Sequence, residues 1–259
     1  MLPGAEVFDL FAVPARPIPL AGGQGHSVHA GDLVLSPGRD EATDSWLNPI
    51  LAPLSAQLDH ERPRALRLAM PIPTRDGRWV VDGWGATRFE PDTTECRDLD
   101  TLRATSHLLH ARLASAAPTE PDGIRHIDNR WARAERIAFG DAAPTGIPAA
   151  IQPLVHELLD QHDDTDLGPN QLVHGDLAGN VLLDADGIPF VIDMAPFWRP
   201  ALWAEATCVL DAVMWLGADP AAMTDWTTGA RRQAMIRSVI FRLLSDLEPD
   251  VDCVRSLVG

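Results

Sequence analysis

Lysine is absent from this chain of 259 residues: all 21 basic residues are arginines. Acidic residues outnumber them, with 37 aspartates and glutamates and a formal net charge of −16. This charge argues against nucleic acid or an anionic membrane as a partner, because both require basic patches on the protein surface. A cationic small molecule is compatible with the charge, although a generally acidic surface that maintains solubility explains it more simply.

Cysteine is scarce as well, and Cys96, Cys208 and Cys253 form no CxxC pair. Their spacing predicts reduced thiols in a cytoplasmic protein and argues against a disulfide framework or a zinc site. Apolar runs are short, with none of the about 18 residues that a membrane span needs. Glu6 and Asp9 stand where a signal peptide would have a basic start. The length predicts one large or two modest domains, and a hydrophobic content of 46% is ordinary for a globular protein.

The most informative stretch is residues 171–194, with the sequence QLVHGDLAGNVLLDADGIPFVIDM. An apolar strand leads into an HGD tripeptide that ends at Asp176. Two further apolar runs are separated by Asp-Gly, the strongest short-range signal for a β-hairpin. If this Asp-Gly pair forms the turn, Asn180 lies directly opposite Asp193, with Cβ atoms about 5 Å apart. One end of the hairpin then collects three oxygen donors of the kind that Mg²⁺ prefers.

The pattern HGD…N…ID resembles the catalytic loop and metal-binding aspartate of the aminoglycoside phosphotransferase-like branch of the protein-kinase fold. The resemblance implies a bilobal α+β fold, with a small antiparallel-sheet N-lobe at residues 1–91 and a mostly helical C-lobe at residues 92–259. It also implies that Asp176 is the catalytic base and that Asn180 and Asp193 hold Mg²⁺ on the nucleotide phosphates. The gap from Asp176 to Asn180 is four residues, whereas the usual gap is five. The flanking sequence is similar to a group of actinobacterial proteins in that superfamily.

A glycine cluster near the N-terminus, formed by Gly22, Gly23 and Gly25, precedes two short apolar strands. By the resemblance, it is the loop whose backbone N–H groups approach the phosphates of ATP or GTP. A glycine-rich hairpin without a function would have the same sequence. The HGD motif downstream makes nucleotide contact the better interpretation.

The kinase lysine that contacts the α- and β-phosphates has no counterpart here, because Ser36 occupies the resembling position. A serine hydroxyl can donate one hydrogen bond to a nucleotide but carries no charge. In a chain without lysine, only an arginine could supply that charge. Arg39 and Arg67 are the nearest candidates in the sequence.

The helix that would carry the acidic partner of the lysine covers residues 40–58, with Glu41 or Asp44 as the acid. Pro49 and Pro53 lie inside this segment. An interior proline removes one helical hydrogen bond and costs about 3 kcal/mol. The sequence therefore predicts a short or broken helix.

Residues 64–70 and 78–81 are predicted to be the last two strands of the N-lobe sheet. The segment 82–86, DGWGA, follows them. By the resemblance, it is the hinge between the lobes, where Trp84 would lie against the nucleotide base. A plain loop with a core tryptophan would give the same pattern.

Helical periodicity predicts helices in the C-terminal part, at residues 98–117, 131–139, 149–161, 201–216 and 231–247. The last two are favoured as scaffold. His107 and His110 lie three residues apart on the first helix, and packing or surface roles are favoured because no third metal ligand is in view. Arg199 could contact a phosphate or form a structural salt bridge, and the sequence does not separate these roles.

Two functions follow from these patterns. The first is a phosphotransferase that moves the γ-phosphoryl group of ATP or GTP to a hydroxyl group of a small molecule, which the intact Asp176, Asn180 and Asp193 favour. The second is a kinase-like pseudoenzyme that binds a nucleotide or metabolite without efficient transfer. The missing strand lysine and the interrupted helix favour the second.

Overall fold

The computed structural model describes residues 2–20, 26–251 and 254–255. In chain order, the strands are Ile18–Pro19 (β1), Val28–Ala30 (β2), Leu33–Pro37 (β3), Arg67–Leu68 (β4), Val80–Val81 (β5), Trp84–Arg88 (β6), Thr94–Glu95 (β7), Asn170–His174 (β8), Val181–Leu183 (β9), Pro189–Val191 (β10) and Pro196–Pro200 (β11). The α-helices are Ala5–Leu10 (α1), Glu41–His60 (α2), Leu99–Ala116 (α3), Arg130–Ala138 (α4), Gln152–Leu159 (α5), Ala201–Trp215 (α6) and Gly229–Ser245 (α7). Short 3₁₀ helices cover Asp122–His126 and Pro220–Trp226.

The small lobe is an antiparallel sheet with the strand order β1-β2-β3-β6-β5. Alternate residues of β2, β3 and β6 are buried on one face of this sheet, as the two-residue period of a strand requires. Helix α1 and the residue after it cover that face with Val7, Phe8 and Phe11. The opposite face of the sheet is the one that this helix leaves uncovered.

The prediction that segment 82–86 is an interlobe hinge is wrong. Asp82 and Gly83 have φ angles of 50° and 75° and form a two-residue hairpin turn between β5 and β6. An Asp-Gly pair suits such a turn because both positions require positive φ. Trp84 is consequently the first residue of β6. Its side chain is 3% exposed and packs in the small-lobe core, so it offers no ring face to a nucleotide base.

Helix α2 is continuous over 20 residues, so the prediction of a short or broken helix is also wrong. Asp40 caps its first turn by accepting the backbone N–H of Thr43 at 2.9 Å. Pro49 and Pro53 are four residues apart and exposed, so the carbonyl groups that lose their helical partners lie on the solvent face, where water can bond them. The opposite face anchors the helix in the core through Leu47, Leu51, Leu54 and Leu58.

Strand β4 lies outside the small-lobe sheet, which corrects the assignment of segment 64–70. It pairs in parallel with β10, in a second sheet ordered β4-β10-β9-β7. The continuation of β4 then reaches β6, since the N–H of Arg88 donates to the carbonyl of Met70 at 2.9 Å. Helix α2 and β4 share a hydrophobic core with α3 and the β9–β10 hairpin. Both elements precede residue 91 yet pack with the large lobe, and the division of the chain at that residue stays a proposal.

Arg67 of β4 connects three parts of the chain. Its guanidinium donates to Asp59 at the end of α2 at 3.1 Å, to Glu90 after β6 at 2.6 Å, and to Asp184 in the β9–β10 turn at 3.2 Å. The same group lies 5.3 Å from the ring centroid of Phe190. One largely buried arginine thus compensates three carboxylates where the two lobes meet.

Replacing Arg67 by methionine should lower the free energy of unfolding by about 3 kcal/mol, because three carboxylates would lose their cation. Guanidinium chloride unfolding at pH 7, followed by tryptophan fluorescence, measures this change. Arg75→Met is the matched control, since Arg75 pairs with Asp9 at an exposed position. Such a pair is worth less than about 1 kcal/mol. Equal losses in the two variants would contradict the role assigned to Arg67.

The large lobe confirms the predicted C-terminal helices as α3 to α7, with bounds that shift by a few residues. Helix α6 runs through its interior and is buried continuously from Trp203 to Ala212. Strands β8 and β11 pair antiparallel beside it, so the loop after β8 and the segment before β11 lie next to each other. Among the described residues, no helix is long and apolar enough to cross a membrane.

Candidate functional site

The HGD loop begins at His174, whose buried imidazole joins two segments of the site. Its Nδ1 accepts the N–H of Asp176 at 3.1 Å, and its Nε2 donates to the carbonyl of Ile192 at 3.3 Å. The N–H of His174 in turn donates to Nε2 of His110 at 3.1 Å. Burial lowers the pKa of His174 and lowers the pKa of His110 to about 3, so both rings are neutral. His110 therefore has a packing role beneath the loop.

The β9–β10 hairpin has a register one residue away from the prediction. Asp184 closes a three-residue turn, since its carboxylate accepts two backbone N–H groups of the turn at 3.0 and 2.9 Å, and Gly187 takes a φ of 76°. The extra turn residue places Asn180 opposite Ile192 instead of Asp193. Asp193 follows with a φ of 46°, a left-handed conformation that turns the chain.

The carboxylate of Asp176 is held from two sides. Its Oδ1 accepts a hydrogen bond from Nη2 of Arg242 at 2.6 Å. On the other side, Nδ2 of Asn180 donates to the main-chain carbonyl of Asp176 at 2.6 Å and to Oδ2 at 3.3 Å. The four-residue gap thus still brings the asparagine to the aspartate. With Nδ2 engaged in this way, the amide oxygen of Asn180 is the atom available to a metal ion.

Two charged residues on the scaffold helices belong to this site. Arg242 of α7 is 4% exposed and donates to Asp211 of α6 through Nε at 2.8 Å, in addition to its bond with Asp176. Asp211 is completely buried, and burial raises its pKa to about 7 although Arg242 opposes the shift. The sequence could have indicated this pair, because both charged residues lie within apolar helix faces. Charged residues are seldom buried there without a partner of opposite charge.

Arg39 lies in the loop after β3 and contacts two carboxylates. Its Nε and Nη2 donate to Asp44 of α2 at 3.1 and 3.0 Å, a two-bond geometry that suits a guanidinium and a carboxylate. Its Nη1 donates to Oδ1 of Asp193 at 3.0 Å. Of the two candidate acids on α2, Asp44 is the buried one and Glu41 is exposed.

The other residues predicted to bind the nucleotide have different positions. Ser36 lies in β3, with its hydroxyl oxygen 3.0 Å from that of Ser27. Gly22, Gly23 and Gly25 lie outside the described residues, so their contact with phosphate stays a prediction.

A cavity of about 550 Å³ joins the catalytic loop to the segment after β10. Asp176 and Asp193 line it, together with Arg39, Asp44 and Arg242. Its apolar wall is formed by Trp131, Phe197, Trp198 and Phe241. A cavity of this size is typical of small-molecule sites, and the lining of this one is rich in charged side chains.

Arg199 on the cavity wall forms the salt bridge that was one of its two predicted roles. Its guanidinium pairs with Glu135 of α4 and with Asp141, and it lies 4.0 Å from the ring centroid of Phe139. Burial raises the pKa of Glu135, and the charge of Arg199 opposes that shift. The two carboxylates already compensate this arginine.

Comparison with protein-family models and with curated proteins gave no match. Solved structures do match. An aminoglycoside phosphotransferase from Alicyclobacillus acidocaldarius has a TM-score of 0.58 at 13% identity, over 99% of this chain and 90% of the other. A choline kinase from Streptococcus pneumoniae has a TM-score of 0.55 at 11% identity, over 97% and 93%. A thermostable mutant of an aminoglycoside phosphotransferase, in complex with ADP and hygromycin B, has a TM-score of 0.53 at 15% identity, over 97% and 94%.

At such low identities the likeness concerns the fold. It extends over nearly the full length of each chain, so it includes both the small sheet lobe and the helical lobe. The chain therefore has the bilobal α+β protein-kinase-like fold of the aminoglycoside phosphotransferases and choline kinases.

Proposed function

We propose that this protein is a phosphotransferase that moves the γ-phosphoryl group of ATP or GTP to a hydroxyl group of a small molecule. The observation that carries the proposal is the meeting of Asp176 and Asp193 at one cavity, with Asn180 bonded to Asp176. These are the residue types, in the same chain order, that act in kinases. The structural neighbours support the proposal, since they include small-molecule kinases in complex with AMP or ADP.

Asp176 is the proposed base, which accepts the proton of the acceptor hydroxyl while its oxygen attacks the γ-phosphorus. Arg242 holds Oδ1 at 2.6 Å, whereas the contact of Oδ2 with Asn180 is longer, at 3.3 Å. Oδ2 is therefore the oxygen that takes the proton. Phosphoryl transfer depends mainly on the positioning of the reacting groups. Arg242 therefore contributes to the reaction by orienting the carboxylate of Asp176.

The residues present fit a Mg²⁺ ion. The amide oxygen of Asn180 and the carboxylate of Asp193 are hard oxygen donors, and the side chain of Asp193 is 66% exposed. In the part of the chain that the structure describes, no group of three or more His, Cys, Asp or Glu could hold a metal ion. Phosphate oxygens and water would therefore complete the coordination, as is usual for Mg²⁺. When bound, Mg²⁺ would offset the charge of the β- and γ-phosphates.

A kinase-like pseudoenzyme that binds a nucleotide or metabolite is the second candidate. Two observations favour it: Ser36 supplies no charge at the lysine position, and Arg39 is bonded to Oδ1 of Asp193. Loss of one preorganised charged contact would cost on the order of 10²–10³ in rate.

The first test is calorimetric titration of ATP and GTP, with and without Mg²⁺, into the wild type and Asp193→Ala. We expect Mg²⁺-dependent binding of at least one nucleotide to the wild type, and a loss of about tenfold or more in affinity in Asp193→Ala. Asp186→Ala, in the exposed hairpin turn, is the control and should bind like the wild type. A wild type that binds neither nucleotide would rule out the phosphotransferase.

A screen of hydroxyl compounds for ADP or GDP release then separates the phosphotransferase from the pseudoenzyme. Cationic acceptors belong in the panel because the chain has a net charge of −16. Release that depends on one acceptor supports transfer, whereas nucleotide binding without release supports the pseudoenzyme. The cytoplasmic location and the similarity to an actinobacterial group stay predictions.

A further inference from the structure

We propose that Arg39, oriented by Asp44 and admitted by Gly85, is the phosphate-binding cation of this protein. The proposal rests on the phosphotransferase function proposed above. In a kinase, a lysine on the strand supplies this positive charge. Here Arg39, in the loop after β3, would supply it. Two observations support it: the position of the side chain, and the bonding of the guanidinium to one buried and one exposed carboxylate.

The position follows from the small-lobe sheet. Ser36, at the lysine position, lies directly opposite Gly85 in the β3–β6 register, and paired residues project from the same face of a sheet. A Cβ atom at Gly85 would lie 3.0 Å from Cγ of Arg39 and 3.4 Å from Oδ2 of Asp44. The stem of Arg39 therefore crosses the same face at the level of Ser36, in the space that a side chain at position 85 would occupy.

The bonding determines which part of the guanidinium can reach a ligand. Nε and Nη2 are both used by Asp44, which is 2% exposed. Nη1 is the nitrogen directed toward Asp193, on the wall of the cavity that also contains Asp176. Asp44 thus fixes the orientation of Arg39, while Nη1 faces the reacting groups.

Of the two carboxylates bound to Arg39, the exposed one is the partner that a ligand could replace. Arg39 pairs with a buried carboxylate, Asp44, and with a carboxylate that is 66% exposed, Asp193. An arginine fork can bind a phosphate oxygen while it keeps a two-bond contact with a carboxylate. If Asp193 turns toward a metal ion, Nη1 loses its protein partner and becomes free to donate to a phosphate oxygen.

The test compares nucleotide and nucleoside binding to the full chain. Arg39→Met removes the charge and keeps the stem, and we expect the Kd for Mg²⁺–ATP or Mg²⁺–GTP to rise roughly 10- to 100-fold. Binding of adenosine or guanosine, measured by displacement of the nucleotide, should stay within about twofold, because a nucleoside has no phosphate. A purely structural role for Arg39 would weaken nucleoside and nucleotide alike.

Relocation of the charge is the second arm of the test. In Arg39→Met/Ser36→Lys, a lysine on the same sheet face should recover at least about tenfold of the lost nucleotide affinity. Arg39→Lys keeps the positive charge but not the forked guanidinium. It should lose less nucleotide affinity than Arg39→Met. If Arg39→Met does not fold, these two variants still test the role of the charge.

The outcomes separate this inference from the proposed function. If the wild type binds Mg²⁺–nucleotide and Arg39→Met binds it equally well or better, Arg39 is not the phosphate-binding cation and the phosphotransferase proposal stands. Equal weakening of nucleoside and nucleotide, or no recovery from Ser36→Lys, also overturns the inference. If the wild type binds neither nucleotide, both proposals fail.

Discussion

Asp176→Asn should lower the rate of phosphoryl transfer about 10³-fold, because the amide cannot accept the proton of the acceptor hydroxyl. Nucleotide affinity should stay within about twofold of the wild type, since asparagine retains the shape and a hydrogen-bond acceptor for Arg242. The kcat for ADP or GDP release with the best acceptor of the panel, together with the calorimetric Kd, measures both effects.

The matched control for this substitution is Asp186→Asn. It makes the same chemical change in the exposed β9–β10 turn, and Asp186 does not line the cavity. Its kcat should equal that of the wild type. A wild-type kcat in Asp176→Asn would remove Asp176 from the role of base and leave the cavity without an assigned proton acceptor.

Arg242→Met should lower the free energy of unfolding by about 4 kcal/mol at neutral pH, because the fully buried Asp211 would lose its cation. Removing one partner of a buried pair leaves the buried acid either charged without a cation or forced to take up a proton, and both cost more than removing both partners. Guanidinium chloride unfolding measures the loss. The exposed Arg125→Met, which breaks a pair with Glu120, should cost less than about 1 kcal/mol.

The deficit of Arg242→Met should depend on pH in a defined direction. Burial already raises the pKa of Asp211 to about 7 in the wild type, above the unfolded value of about 4. The folded state therefore holds a proton that the unfolded state has lost, and this contribution to stability declines as the pH rises from about 4 to 7. Without Arg242 the pKa of Asp211 rises further, so the variant continues to lose stability above pH 7. The deficit should be larger at pH 9 than at pH 6.

A second substitution tests the cause of this effect. Arg242→Met/Asp211→Asn removes the buried charge together with its cation, and it should recover a large part of the stability and abolish the extra pH dependence. A double variant as unstable as Arg242→Met at both pH values would show that packing of the arginine stem, and not its charge, stabilises α6 against α7.

The fold could be anticipated from the sequence where local rules and tertiary packing agree. The helices α3 to α7 have apolar residues at helical spacing, and the HGD loop lies between apolar strands. The structure differs from these expectations where tertiary packing outweighs a local preference. Pro49 and Pro53 disfavour a helix in isolation, but both lie on the solvent face of α2 while four leucines bury the other face. The β9–β10 turn is one residue longer than predicted because the carboxylate of Asp184 accepts hydrogen bonds from two backbone N–H groups of the turn.

The sequence by itself determined the order of Asp176, Asn180 and Asp193, the absence of lysine and the apolar spacing of the helices, because each is a property of neighbouring residues. Only the tertiary structure decided which cations meet these acids. Arg39 reaches Asp193 across 154 positions, and Arg242 reaches Asp176 across 66. No local pattern encodes such pairs. They form because a charge buried by packing must find a partner, and the packing of α2, α6 and α7 determines which partner is within reach.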